Sequence, residues 1–256
     1  GNYHIDRALV TMEIDFWVER WNNNKIGFHQ DRINSYLVYF YGEKGLPVEH
    51  REKLKVFVPL CGKSKDLLWL SQNAYKVFAV ECSDRAVKDF FEENALNYKH
   101  AEKDPHALYQ SSDLPSIIEV FRGDFFELQH KDLNDVTDIF DRASLVALPV
   151  EMRRRYAKKM AELQKPGVRT LLVTLTFDPA EMNGPPFSVT EEEVKDLYLE
   201  NFSIQKLLVK NVIDEEAGLK NRIGTNLTKS FDASSRVIQV QNRTARRRRG
   251  RGPRPR

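Results

Sequence analysis

The sequence predicts an α/β fold in which helices cover both faces of a mostly parallel, doubly wound sheet. Three observations lead there. Short β-branched runs alternate with helical patterns along the chain, as in sheets built from strand–helix–strand units. No internal repeat period interrupts that alternation. The chain has 256 residues, 41% of them apolar, enough for a sizeable core, so a globally disordered chain is excluded.

The elements follow in order. Residues 13–23 (EIDFWVERWNN) set Ile14, Trp17 and Trp21 at helical spacing, and a second helix is expected after a turn at Gly27. LKVFVPL (54–60) reads as a buried strand, Leu67, Leu68 and Trp69 as part of a helix, and YKVFAVE (75–81) as a second strand. A helix is expected from Asp84 to Asn94. Residues 97–116, polar and with two prolines, read as a loop of about 20 residues, long for a compact domain. SIIEVF (116–121) and VTDIFD (136–141) are the third and fourth strands, with a GDFFEL turn between them. The helix 151–164 stops at Pro166-Gly167, and VRTLLVTLTF (168–177) is the fifth strand. Beyond the loop DPAEMNGPPFSVT and the helix EEEVKDLYL, FSIQKLLVKNVI and SRVIQVQ suit a closing hairpin at an antiparallel edge.

Composition narrows the function classes. No run approaches the ~20 apolar residues of a membrane span, and the start has no basic-then-apolar signal pattern. A soluble, cytoplasmic chain is expected, with residues 1–11 as leader or upstream sequence before Met12. Cys61 and Cys82 are too few for a disulfide framework or a zinc site and point to a reducing compartment. The six His lack metal-ligand spacing, so no metal is expected, and no GxSxG elbow is present. The net charge of +3 conceals an asymmetry. Residues 242–256 contain eight Arg and no acid, so the rest of the chain is acidic overall. Residues 12–241 are read as one domain and 242–256 as a disordered tail.

In a doubly wound sheet the ligand sits beyond the carboxyl ends of the strands, where strand order switches. The first strand–helix turn reads Pro59-Leu60-Cys61-Gly62-Lys63-Ser64. A phosphate loop would need Gly five residues before Gly62; position 57 is Phe, so a nucleoside triphosphatase is rejected. Glu81 ends the second strand, 19 residues beyond Gly62. It could accept both ribose hydroxyls of an adenosine ligand, or be a solvated acid. Asp124 and Phe125 could offer adenine a hydrogen bond and a ring face. Without a GxGxxG, a mononucleoside cofactor is favoured over a dinucleotide. Arg142 would project into the same cleft or pair with Asp141. Trp17, Trp21 and Phe28 could be packing residues, although a Trp face near a sulfonium gains up to ~2 kcal/mol when desolvated. His29 is read as satisfying local hydrogen bonds.

Five segments together resemble the thiopurine S-methyltransferase family of class I, S-adenosylmethionine-dependent methyltransferases. They are FWVERWNNNKIGFHQDRIN (16–34), VFVPLCGKSKDLLWL (56–70), VFAVECSDRAVKDFF (77–91), FDRASLVALP (140–149) and FDPAEMNGPPFSV (177–189). The resemblance implies a Rossmann-like, seven-stranded sheet with N-terminal helices over the cofactor site. It also implies S-adenosyl-L-methionine as cofactor and methyl transfer to the sulfur of a small (hetero)aromatic thiol such as a thiopurine. Trp17 and Trp21 match the segment that closes over the cofactor. Leu60 and Gly62 in the PLCGK turn, together with Glu81, match cofactor contacts, and Asp124 and Phe125 lie at the adenine-side turn. Arg142 matches an Arg placed between cofactor and acceptor, the one catalytic residue expected. Phe28, Pro185 and Pro186 match the acceptor pocket.

A second family Arg falls near 215–224, where Arg222 replaces it or Ala217 stands in its place. The expected partner is a small-molecule thiol and the expected state a monomer. Two alternatives are carried: the same fold methylating a selenite- or tellurite-like oxyanion, and a nucleic-acid-associated methyltransferase using the Arg tail. The second is disfavoured because Pro185-Pro186-Phe187 follows the fifth strand rather than the fourth.

Overall fold

The computed structural model describes residues 14–45, 47–212 and 234–243. The leader (1–11), Met12, Ala217, Arg222 and all but the first two residues of the Arg-rich tail lie outside the described residues.

Helix α1 (14–22) opens the described chain. The segment 28–34, expected to be helical, is irregular; α2 begins only at Ser35–Leu37 and runs on as a π-type turn, Val38–Glu43. The reason is Asn34, whose side chain caps α2 by accepting from the backbone N–H of Tyr36 and Leu37, as asparagine does at helix starts. Its own N–H donates to Asp66 Oδ1 at 2.8 Å. The short helix α3 (Val48–Arg51) leads into β1 (Lys55–Val58), α4 (Lys65–Gln72), β2 (Lys76–Glu81) and α5 (Asp84–Glu93). Ser64 and Ser83 cap α4 and α5.

The 97–116 loop is overturned. β3 (Tyr98–Lys103) and β4 (His106–Ser111) form an antiparallel hairpin there. β3 is almost wholly exposed, so no apolar alternation betrays it. β5 (Ile118–Arg122), β6 (Asp138–Arg142), α6 (Val150–Leu163), β7 (Arg169–Thr176), α7 (Glu191–Tyr198), β8 (Phe202–Asn211) and β9 (Ser234–Asn242) complete the order.

The sheet runs β3-β4-β5-β2-β1-β6-β7-β9-β8. Among the described residues it therefore has nine strands rather than seven. Its centre, β5-β2-β1-β6-β7, is parallel throughout, and an antiparallel pair extends each edge. From β1 the chain winds to β2 and β5 on one side, then returns to β6 and β7 on the other. The switch in strand order thus lies between β1 and β6, where a ligand crevice is expected. Side chains alternate across each strand and feed two cores. Phe57, Phe78 and Phe121 pack with α6 and α7 residues on one face, and Val56, Val77 and Val120 pack with α4 and α5 residues on the other. Among the described residues no helix is long and apolar enough to cross a membrane.

Candidate functional site

A cavity of about 570 Å³ opens over the carboxyl ends of the central strands. Its first wall is the turn after β1. Leu60 and Gly62 both take positive φ, 47° and 54°, a conformation that glycine adopts freely and leucine only under constraint. A Cβ at Gly62 would stand 2.9 Å from the Trp21 indole, so α1 packs directly onto this turn. Beside it, Glu81 is 5% exposed. Its Oε2 accepts from Gly62 N at 2.8 Å and its Oε1 from Ser83 N at 2.8 Å. Burial pushes its pKa up while these donors pull it back. One carboxylate thus ties together the turns that follow β1 and β2.

The second wall is aromatic. Trp17 and Trp21 set their rings edge-on to Phe28, at 5.2 Å and 5.5 Å, the arrangement that ring quadrupoles favour. Polar contacts hold this cover to the body: Arg85 Nη1 donates to Asn22 O at 2.8 Å, and Lys65 pairs with Asp31 at 2.7 Å.

The far wall comes from β6, β7, β9 and the Gly-Pro-Pro-Phe rim. Arg142 ends β6 and lines the cavity. Asp141 projects from the opposite face of that strand and accepts from the Tyr156 hydroxyl at 2.8 Å. Burial raises the Asp141 pKa to about 6. Pro185 and Pro186 also line the cavity. Their rim is anchored by Phe187 N donating to Val146 O and Val189 N donating to Leu175 O. Gly184 turns into it at φ 70°, and a Cβ there would collide with the Phe187 ring at 2.5 Å.

Of the residues singled out from sequence, nine meet around one cavity: Trp17, Trp21, Phe28, Leu60, Gly62, Glu81, Arg142, Pro185 and Pro186. Asp124 and Phe125 are not part of its lining. The Asp124 carboxylate turns back to accept from Phe126 N at 2.8 Å. Phe125 points inward, 3% exposed and stacked on Tyr156 at 4.7 Å.

The cavity also collects His29, Arg32, Cys82, Thr174, Val212 and Ser235, which the sequence reading left out of the site. The His29 ring packs near Trp21 at 6.3 Å, and burial and the Lys63 ammonium hold its pKa below the ordinary histidine value. A signal for His29 was present in the FHQ run next to Phe28. Thr174 and Ser235 offered none, because they look like any polar residue in a strand. Among the described residues no group of three or more His, Cys, Asp or Glu is placed to hold a metal ion.

A sheet with a parallel centre of this order, and a cavity over its switch point, defines a nucleotide-type binding fold of the methyltransferase class. The chain is similar in structure to a SAM-dependent methyltransferase from Anabaena variabilis, with a TM-score of 0.57 at 15% identity, over 90% of this chain and 95% of that one. It is also similar to magnesium protoporphyrin IX methyltransferase from Synechocystis, solved with bound SAM, with a TM-score of 0.54 at 12% identity, over 90% and 97%. At those identities the likeness establishes the fold. In sequence, residues 12–232 match the thiopurine S-methyltransferase family model. A thiopurine S-methyltransferase of Pseudomonas fluorescens is 41% identical over 204 residues, 80% of this chain and 90% of that protein. The chain belongs to the thiopurine S-methyltransferase family and is an S-adenosyl-L-methionine-dependent methyltransferase.

Proposed function

We propose that this chain methylates the sulfur of a small aromatic or heteroaromatic thiol, of which a thiopurine is one example. The observation that carries the reading is the single cavity bounded by Glu81 at one end, Arg142 and the Pro185-Pro186 rim at the other, and the Trp17–Trp21–Phe28 cluster above. The donor set suits the cofactor. Glu81 keeps lone pairs beyond the two N–H bonds it accepts, and a ribose diol would supply donors to them. Gly62 leaves room where any side chain would meet Trp21. The aromatic rings offer π faces to a cationic sulfur.

When bound, S-adenosyl-L-methionine supplies an electrophilic methyl group already joined to its leaving group. The protein's task is then orientation in a dry cavity, and holding two reactants in line contributes ~7–11 kcal/mol in well-oriented systems. Arg142 would stabilise the acceptor as its sulfur anion through a charge-assisted contact, and Phe28 with Pro185 and Pro186 would clasp a flat ring. Acidic heteroaromatic thiols ionise near neutral pH, so no strong base is required of the chain.

The test is transfer of labelled methyl from S-adenosyl-L-methionine to 6-mercaptopurine by the full chain, alongside Arg142→Lys. Turnover by the native chain, with kcat/KM lowered about tenfold or more in Arg142→Lys, is expected, because Lys lacks the planar fork of donors. Cofactor binding without turnover of any aromatic thiol would overturn the acceptor class.

A further inference from the structure

The cavity holds a basic side chain that the reading above leaves unused. His29 directly follows Phe28 in the irregular segment before α2, and both line the cavity together with Arg142 of the far wall. The local hydrogen bond expected of His29 is made by its backbone, whose N–H donates to Ile26 O at 2.8 Å. Its ring is positioned by packing instead, tilted at 58° against the Trp21 indole with the centroids 6.3 Å apart. Among the described residues no hydrogen bond engages its ring nitrogens. The residue is only half-buried, so its imidazole retains accessible surface to present to a ligand.

The surrounding charges keep that ring neutral. Asp31 faces it from its own segment, Lys63 from the turn after β1, Glu93 from α5 and Arg142 from the end of β6, while Arg32 lines the same cavity. The two carboxylates are engaged by other cations, Asp31 by Lys65 of α4 at 2.7 Å and Glu93 by Lys63 at 2.6 Å. Burial first, then the Lys63 ammonium, hold the His29 pKa below the ordinary histidine value, and Arg142 acts in the same direction. At neutral pH the ring is therefore an unprotonated imidazole with a lone pair on one nitrogen. A sulfonium bound in the cavity adds a further positive charge and reinforces that state.

Resting on the methyltransferase reading above, we propose that His29 is the proton acceptor for thiols that enter the cavity un-ionised, so that the acceptor range extends to less acidic thiols. The imidazole lone pair takes the proton as the S–H bond breaks. The electron pair left on sulfur forms the new bond to the methyl carbon, and the bond from that carbon to the sulfonium sulfur breaks, leaving the thioether and S-adenosylhomocysteine. The imidazolium then returns its proton to water, which its depressed pKa favours. Nothing beyond the two substrates and water enters this balance. Thiols that ionise unaided make no such demand, and for them the Arg142 contact is enough. Proton removal and anion stabilisation thus come from two walls of one cavity.

The test uses the full chain with saturating S-adenosyl-L-methionine and two acceptors: phenylmethanethiol, a neutral thiol at pH 7, and 4-nitrothiophenol, an anion there. Their kcat/KM values are followed from about pH 5.5 to pH 9 in the native protein and in His29→Gln. Taking the ratio of the two acceptors cancels any general disturbance of the cavity by the substitution. At pH 7 that ratio, phenylmethanethiol over 4-nitrothiophenol, should fall about a hundredfold in His29→Gln, the lower end of what a positioned general base contributes. The native profile for phenylmethanethiol should level off above about pH 7, where the base is fully unprotonated. The variant's should keep climbing to pH 9 with the thiolate concentration. A second readout needs no turnover. In the ligand-free native chain the His29 ring resonances should titrate below about pH 6.5, the ordinary histidine value. They are assigned by their absence from His29→Gln or, should that variant misfold, from His29→Asn. An unchanged ratio, parallel pH profiles in the two proteins, or a ring that titrates at or above the ordinary value would overturn the proposal. So would a native chain that methylates 4-nitrothiophenol and not phenylmethanethiol, and each of these leaves the methyltransferase reading standing. If the native chain turned over neither thiol, the acceptor reading would fall and this inference with it.

Discussion

The two ends of the cavity are built differently. At the Glu81 end, one short stretch of chain does most of the work: the turns after β1 and β2 are 19 residues apart and are joined by backbone donors to one buried carboxylate. At the Arg142 end, β6, β7, β9 and the loop after β7 each contribute a piece. A cofactor that stays the same rewards a fully bonded, preorganised cradle. An acceptor end assembled from separate segments can be altered one segment at a time without touching that cradle. On the proposed assignment of the two ends, cofactor binding and acceptor choice are separable in this fold, and substitutions at the two ends should behave accordingly.

Glu81→Gln should show the largest effect. The amide has one acceptor oxygen where the carboxylate has two, and turns an N–H₂ toward Gly62 N or Ser83 N. A site designed around acceptors then faces donor against donor, and the hydroxyl bonds proposed for the ribose lose their charge. Two charge-assisted hydrogen bonds, at ~1.5–3 kcal/mol each, predict a rise of several-hundred-fold in the Kd for S-adenosylhomocysteine by titration calorimetry. A Kd within threefold of native would break the comparison at its stronger end.

The same contrast explains what could be read from the chain itself. The parallel core was legible because β1, β2 and β7 are largely apolar runs and α5 and α6 carry helical periodicity. Gly62 and Glu81 were legible because their roles depend on spacing along one strand–turn–helix–strand unit. The β3–β4 hairpin was not, because an exposed edge strand is polar on both faces and has no pattern to display. Asp124 and Phe125 were assigned to the site from their place after β5. Neither lines the cavity: the Phe125 ring stacks on Tyr156 in the core, and the Asp124 carboxylate accepts from Phe126 N. Thr174 and Ser235 were invisible for a further reason. They reach the same cavity wall because β9 returns antiparallel beside β7, a pairing between residues 58 to 72 positions apart.

Asp141 adjoins Arg142 on the face of β6 away from the cavity and tests whether that strand is tuned for stability. It is fully buried, accepts from Tyr156, and its pKa is raised to about 6 from about 4 in an unfolded chain. Between those values the folded protein retains a proton that the unfolded chain has released. The stability that Asp141 contributes is therefore full below about pH 4 and falls as pH rises toward 6, by about 2–3 kcal/mol. Asp141→Asn keeps an oxygen for Tyr156 and removes the titration. Urea unfolding at pH 4.5 and pH 7 should show the variant gaining on the native chain as pH rises, with acceptor KM at pH 7 within twofold. A constant difference across that range would exclude a raised pKa at this position.

Gly62→Ala probes the contact between the cradle and its cover, and its expected effect is the smallest of the three. Alanine at φ 54° carries a strain of ~1–2 kcal/mol, and its Cβ would press on the Trp21 indole at 2.9 Å. The indole is on helix α1, which can give way by a few tenths of an ångström, so the fold should survive with its unfolding midpoint lowered by a few degrees. The shifted indole also leaves its edge-on contact with Phe28, loosening the aromatic cover. Cofactor Kd should then rise about tenfold, while the ratio of kcat/KM for 2-mercaptopyridine over thiophenol stays at the native value. That combination would sharpen the division between the two ends. A change in acceptor preference from Gly62→Ala would show instead that the cover transmits the state of the cradle to the far wall, because Phe28 packs on Trp21 and lines the same cavity as Arg142.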